Sequence, residues 1–157
     1  LIKVEKDNKY GIIDKTGKEI VPAVYDDIWP FEEGLAVVKR QKQKGFIDKT
    51  GRTIIPLIYN DAWFFSDGLA GIKKQDKWGF VDYAGKEIIP FIYDEASFFK
   101  EGFAIVQKQG KWGFIDKKGK EVIPLIYDEA HSFFNGVAKV RKNGIWIIIN
   151  EKGEIVK

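Results

Sequence analysis

One histidine, four neighbouring pairs of acidic or amide residues and five tryptophans are the side chains here whose type and spacing could do chemistry. His131 has no cysteine anywhere in the chain with which to share a zinc ion, and no nucleophile stands at a motif spacing that would make it a catalytic base. The pairs Asp26-Asp27, Asp94-Glu95 and Asp128-Glu129, with Asn60-Asp61 as a variant, offer the oxygen atoms that hard cations prefer. Calcium loops, however, present ligands at alternating positions and close with a bidentate glutamate. Adjacent residues of a strand point to opposite faces, so the two carboxylates of a pair do not converge. An active site is also one specialised constellation, whereas these pairs are near-copies of each other. Turn and cap duty is the expectation for the first carboxylate of each pair, with no catalytic residue, metal or cofactor.

The tryptophans divide into two kinds. Trp78-Gly79 and Trp112-Gly113 recur at one spacing, and Trp146 continues it; core packing between units is expected of them, with the glycine allowing a neighbouring ring to cover the strand backbone. Trp29 and Trp63 stand where the equivalent later residues are Ser97 and His131. A position that changes from unit to unit is either exposed or matched to a local neighbour, and exposed aromatics anchor interfaces. Trp29, Trp63 and, more weakly, Tyr83 are therefore the candidate partner-binding residues.

The elements that must position these residues repeat every 34 positions. Pro22, Pro56, Pro90 and Pro124 keep that step, as do Gly17, Gly51, Gly85, Gly119 and Gly153, and Phe31, Phe65, Phe99 and Phe133. The period divides the single domain, 1–157, into repeats 1–34, 35–68, 69–102 and 103–136 and a partial 137–157. No stretch carries a helical apolar stripe, while short runs of β-formers such as 103–106 and 112–116 read as strands. Gln109-Gly110 and Asn143-Gly144 have the length and composition of tight hairpin loops. In Asp14-Lys15-Thr16-Gly17 and its copies, Asp bonds the backbone ahead of it and Gly takes the positive φ that closes the turn. A third strand follows, expected to end at the proline because proline cannot donate to a ladder. An arm of 92–102 type then leads onward, with a short fourth strand near 93–96 or a single helical turn as alternatives. Each repeat thus reads as a three-stranded meander plus an arm.

Lys77-Trp78-Gly79-Phe80-Val81-Asp82 and Lys111-Trp112-Gly113-Phe114-Ile115-Asp116, each followed by Gly-Lys-Glu and a proline-terminated apolar strand, resemble the WG-repeat family of bacterial proteins. The likeness spans the chain and departs from the pattern at Tyr10-Gly11, Lys44-Gly45 and Trp146-Ile147. It implies an all-β repeat fold, an interaction role, and neither catalytic residues nor a cofactor. For the fold, an open twisted array of stacked meanders is expected, with a closed five-bladed propeller-like ring as the alternative.

Composition bounds the function classes. At 157 residues, 45% hydrophobic and 31% charged, the chain suits one folded domain that buries roughly 70% of its unfolded surface. No apolar run is long enough to span a membrane as a helix. The net charge of +3 splits over the repeats as −3, +3, −1, +1 and +3, an interleaving that argues against a nucleic-acid groove. The sequence begins at Leu1 rather than methionine, so any leader or neighbouring domain would precede it. The expected partner is another protein, with a glycan or cell-envelope polymer as the alternative, and with no nucleic acid and no membrane insertion. Compartment and oligomeric state are open at this level.

Overall fold

Five small antiparallel sheets, and no helix, make up the computed structural model, which describes all of residues 1–157. The first sheet is β1 (Ile2–Lys6), β2 (Lys9–Ile13) and β3 (Glu19–Tyr25). The second is β4 (Asp27–Ile28), β5 (Leu35–Arg40), β6 (Gln43–Asp48) and β7 (Thr53–Tyr59). The third is β8 (Asp61–Ala62), β9 (Ala70–Lys74), β10 (Lys77–Val81) and β11 (Glu87–Tyr93). The fourth is β12 (Glu95–Ala96), β13 (Ala104–Lys108), β14 (Lys111–Ile115) and β15 (Glu121–Tyr127). The fifth is β16 (Glu129–Ala130), β17 (Val137–Lys142) and β18 (Ile145–Asn150). Within each sheet the strands follow one another in space as in sequence, so neighbouring strands are joined locally. The arm does contain a strand, two residues long, and it joins the sheet of the following repeat rather than its own.

Local chemistry dictates the turns. All five first hairpins turn through two residues of positive φ: Asp7-Asn8, Gln41-Lys42, Gln75-Asp76, Gln109-Gly110 and Asn143-Gly144. That is the twist a two-residue hairpin needs. At the other end Asp14 accepts from Thr16 N and Lys18 N at 2.8 and 3.1 Å while Gly17 sits at φ +86°. The same device recurs at Asp48, Asp82, Asp116 and Asn150.

The proline does not end its strand. Pro124 lies in the middle of β15, and Trp112 pairs with Tyr127 while Phe114 pairs with Ile123, so three residues of β15 oppose the single residue Gly113. β15 is an edge strand, and at an edge bulge the missing N–H costs nothing. The bulge brings backbone onto the glycine: a Cβ on Gly113 would stand 2.6 Å from Ile123 O and 2.8 Å from Leu125 N. Gly11 and Gly45 face the same approach, and Gly79 meets Ile89 O together with the Phe91 ring. The expected aromatic cover thus exists at Gly79, but at the other positions backbone is what demands glycine. In the fifth sheet Ile147 stands in the glycine's place, and residues 154–157 return along β18, with Ile149 bridged to Ile155 and Ile148 N–H donating to Lys157 O at 2.7 Å.

Sheets stack through a repeating layer. Phe46, Phe80 and Phe114 meet the arm rings Phe65, Phe99 and Phe133 at centroid distances of 5.1, 4.9 and 4.9 Å. Against them the next sheet presents a small residue and two branched ones, as in Ala70, Ile72 and Val81. Four such cores run in sequence along the molecule. No hydrogen bond, aromatic pair or shared core joins the first sheet to the fifth, so the sheets form an open arc.

Candidate interaction surface

Two clasps tie neighbouring sheets together, one on each rim of the arc. On the rim of the first hairpins, Asp26 binds the Lys9 ammonium of its own sheet and accepts from Gln41 N of the next hairpin at 2.7 Å. Asp94 does the same with Lys77 and Gln109 N, and Asp128 holds Lys111. These lysine bonds hold the three carboxyls below the usual carboxylate range. In the second sheet the pair is absent: Gln43 and Asn60 replace both charges, and Asn60 Oδ1 still accepts from Gln75 N at 3.1 Å. There Lys44 takes over, reaching Asp61 at 2.5 Å. The first carboxylate of each acidic pair is therefore a hairpin clasp, and no group of three His, Cys, Asp or Glu converges that could hold a metal ion.

On the opposite rim the arm turns clasp one another. Glu33 accepts from Gly68 N at 3.0 Å, Asp67 from Gly102 N at 2.9 Å, and Glu101 from Asn135 N and Gly136 N at 2.9 and 3.1 Å. Sequence reasoning missed this ladder. Its signal is an acid before glycine at a fixed 34-residue step.

The candidate residues fall as follows. Tyr83, 44% exposed, donates to Glu33 at 2.6 Å and stacks on Phe65 at 4.7 Å. The bond to Glu33 pushes its pKa up to about 12. Trp63 is half-buried, stacked on Trp78 at 6.1 Å, set edge-on to Phe98, and donates its indole N–H to Ala96 O at 2.8 Å. Trp29 is half-buried too, with the Lys44 ammonium 4.4 Å from its ring centre and its N–H on Asp27 at 3.2 Å. The variable arm residue therefore meets the WG-position residue 15 places on: Trp29 with Lys44, Trp63 with Trp78, and His131 with Trp146 at 5.1 Å. Ser97 brings no ring to Trp112 and turns its Oγ to Ile105 N instead. The WG tryptophans themselves grade outward. Trp78 is 3% exposed, Trp112 is half-buried and Trp146 is 37% exposed. Trp78 Nε1 is buried without a partner.

Two clefts open on the surface. One of about 390 Å³ is lined by Lys3, Ile12, Ile28, Trp29, Pro30 and Phe31, and one of about 250 Å³ includes His131, Phe134, Lys139 and Ile148. Both occur where isoleucine (Ile12, Ile148) replaces the phenylalanine that fills the layer in the three middle sheets.

Comparison with known proteins bears on the fold and the family. No curated protein matches the chain. A β-propeller-like structure described as "KlHsv2 with loop 6CD replaced by a Gly-Ser linker" is similar at TM-score 0.61 and 11% identity over 99% of this chain. The chain spans 60% of the length of that structure. A protein of unknown function from Bacteroides caccae is similar at TM-score 0.41 and 16% identity, over 95% of this chain and 68% of the other. The family model for the WG containing repeat matches residues 10–44, 45–78, 78–112 and 112–146 in succession, and the chain belongs to that family.

Proposed function

We propose that this arc is a non-catalytic module for protein–protein interaction or scaffolding. The observation that carries the reading is the division of labour between positions. Turn residues, bulge glycines and layer phenylalanines recur as a fixed frame, while arm residues such as Trp29 and its Lys44 contact change together on that frame. A stiff surface whose side chains vary at matched positions is what repeat arrays use to read partners. Trp29, with Pro30 in the larger cleft, and Tyr83 on the arm rim are the residues proposed to meet the partner. Glycan binding through Trp29, Trp63 and Tyr83 is the weaker reading, because a sugar needs a free ring face. One face of each ring is already covered, Trp63 by Trp78, Tyr83 by Phe65 and Trp29 by the Lys44 ammonium, which leaves at most a single face for a sugar.

Site-specific photo-crosslinking in the source cell tests this, with the photoreactive residue placed at 29 or at 83. A discrete adduct with one protein from either site is expected. If neither site gives a protein adduct while the variants remain folded, the reading fails.

A further inference from the structure

The fold sorts charge by rim, which the order of residues along the chain conceals. The first hairpins (residues 5–9, 39–43, 73–77, 107–111 and 141–145) and the Asp or Asn that clasps them lie on one rim. They hold twelve Lys and Arg against six Asp and Glu. The opposite rim, made of residues 14–19 and 32–33 and their equivalents, holds ten against thirteen.

Four cations of the hairpin rim are ion-paired: Lys9, Lys77 and Lys111 with their clasp carboxylates and Arg141 with Glu129. Half-buried Lys39 and Lys73 stand opposite Asp27 and Asp61 in the ladder, although those carboxylates bind Lys3 and Lys44. Besides these and Lys42, what remains is one exposed cation at the same place in all five sheets: Lys6, Arg40, Lys74, Lys108 and Lys142. None is ion-paired; Arg40 and Lys74 have only ring contacts, near 6 Å, with Tyr25 and Phe91. On the opposite rim Lys18, Arg52, Lys86 and Lys120 also recur exposed, but in four sheets and among the carboxylates of that more acidic rim. The hairpin-rim cation repeats its charge five times with no intramolecular partner.

We propose that this row is the docking surface for an extended acidic segment of a protein partner, contributing about one carboxylate per sheet. The proposal rests on the interaction-module reading and names the partner's chemistry. Stacked sheets lie about 10 Å apart and an extended chain advances about 3.3 Å per residue, so an acid at every third residue keeps step with the row. A nucleic-acid duplex, with one charge per ~1.7 Å, would press phosphates against the carboxylates of Asp7, Asp26, Asp76 and Asp94 that stand among these cations.

The probe is a fluorescein-labelled peptide of five Glu-Pro-Ser units, followed by anisotropy at low and high salt. Its comparators are a peptide of the same composition with the glutamates contiguous, and an oligothymidylate. The protein variants are Lys74→Glu with Lys108→Glu on the hairpin rim, and Lys86→Glu with Lys120→Glu on the other, each shown folded by circular dichroism. The spaced peptide is expected to bind the wild type, to weaken with salt, and to lose about tenfold or more in affinity to the hairpin-rim variant but less than about twofold to the other. No binding at low salt, equal losses in the two variants, or tighter binding of the contiguous peptide or the oligothymidylate would overturn the proposal. A peptide that fails while residue 29 or 83 still cross-links a protein removes the rim proposal alone. Absence of any cross-linked protein removes the broader reading.

Discussion

Replacing Gly113 by alanine should cost more stability than replacing Gly110, although Gly110 is the residue with positive φ. At Gly110 (φ +76°) an added Cβ meets nothing within 4 Å, so the penalty is the left-handed backbone alone, about 1–2 kcal/mol. At Gly113 the Cβ would lie 2.6 Å from Ile123 O and 2.8 Å from both Pro124 C and Leu125 N. These atoms belong to the backbone of the bulge, so two strands must separate by more than half an ångström, because no side chain is there to rotate aside. Overpacking costs about 1–3 kcal/mol and a weakened ladder bond about 1 more, against roughly 0.5–1 recovered because alanine loses less entropy than glycine. The expected net loss is about 1–3.5 kcal/mol, or roughly 2–14 °C in Tm for a domain of this size. Thermal and urea unfolding of both variants, followed by circular dichroism and tryptophan fluorescence, measures the difference. If Gly113→Ala is no more costly than Gly110→Ala, the pairing of glycine with the proline bulge is not what fixes the family's Trp-Gly signature.

Three further outcomes follow from the same geometry. Trp78→Ala should cost about 3–5 kcal/mol and Trp146→Ala less than about 1, with Trp112→Ala between them; Trp78→Phe should recover much of the loss because Trp78 Nε1 bonds nothing. Equal losses at 78 and 146 in denaturant titrations would contradict the graded burial. In Glu33→Gln, the tyrosine that titrates near 12 should move toward 10 in a spectrophotometric titration, since Glu33 is the main cause of its raised value. In the wild type this contact's stability is intact below pH 10, the unfolded value, and is lost as pH rises through about 12. The Asp26, Asp94 and Asp128 clasps have depressed values, so their contribution is present above the ordinary carboxylate pKa and is lost as pH falls through the lowered ones. A triple Asp→Asn variant should show a flatter fall in Tm on acidification than the wild type, and an unchanged slope would show that the clasps do not couple pH to stability.

Recurrence every 34 residues made much of the frame legible, because each turn carries its own chemistry: Asp and Gly at 14 and 17, or Gln-Gly at 109–110, need no distant contact to be read. Pro124 was misread as a strand end because proline interrupts central ladders, and only the sheet order shows that its strand is an edge. The arm strand escaped firm assignment because Glu95–Ala96 is too short for any periodicity to show. The surface was less legible still. That Trp63 would stack on Trp78 depends on the arm joining the next repeat's sheet, which brings together residues 15 apart that belong to different repeats. Charge misled for a similar reason. Netted repeat by repeat it is mixed in sign, but strands that run rim to rim place residues 6, 40, 74, 108 and 142 side by side.

Affinity capture on the immobilised chain, from the soluble and envelope fractions of the source cell and read by mass spectrometry, tests the central claim most directly. An interaction module should retain a discrete protein species that is displaced by excess free chain. Retention of nothing beyond blank resin, or retention that excess chain does not compete away, would contradict it and leave the arc as a spacer.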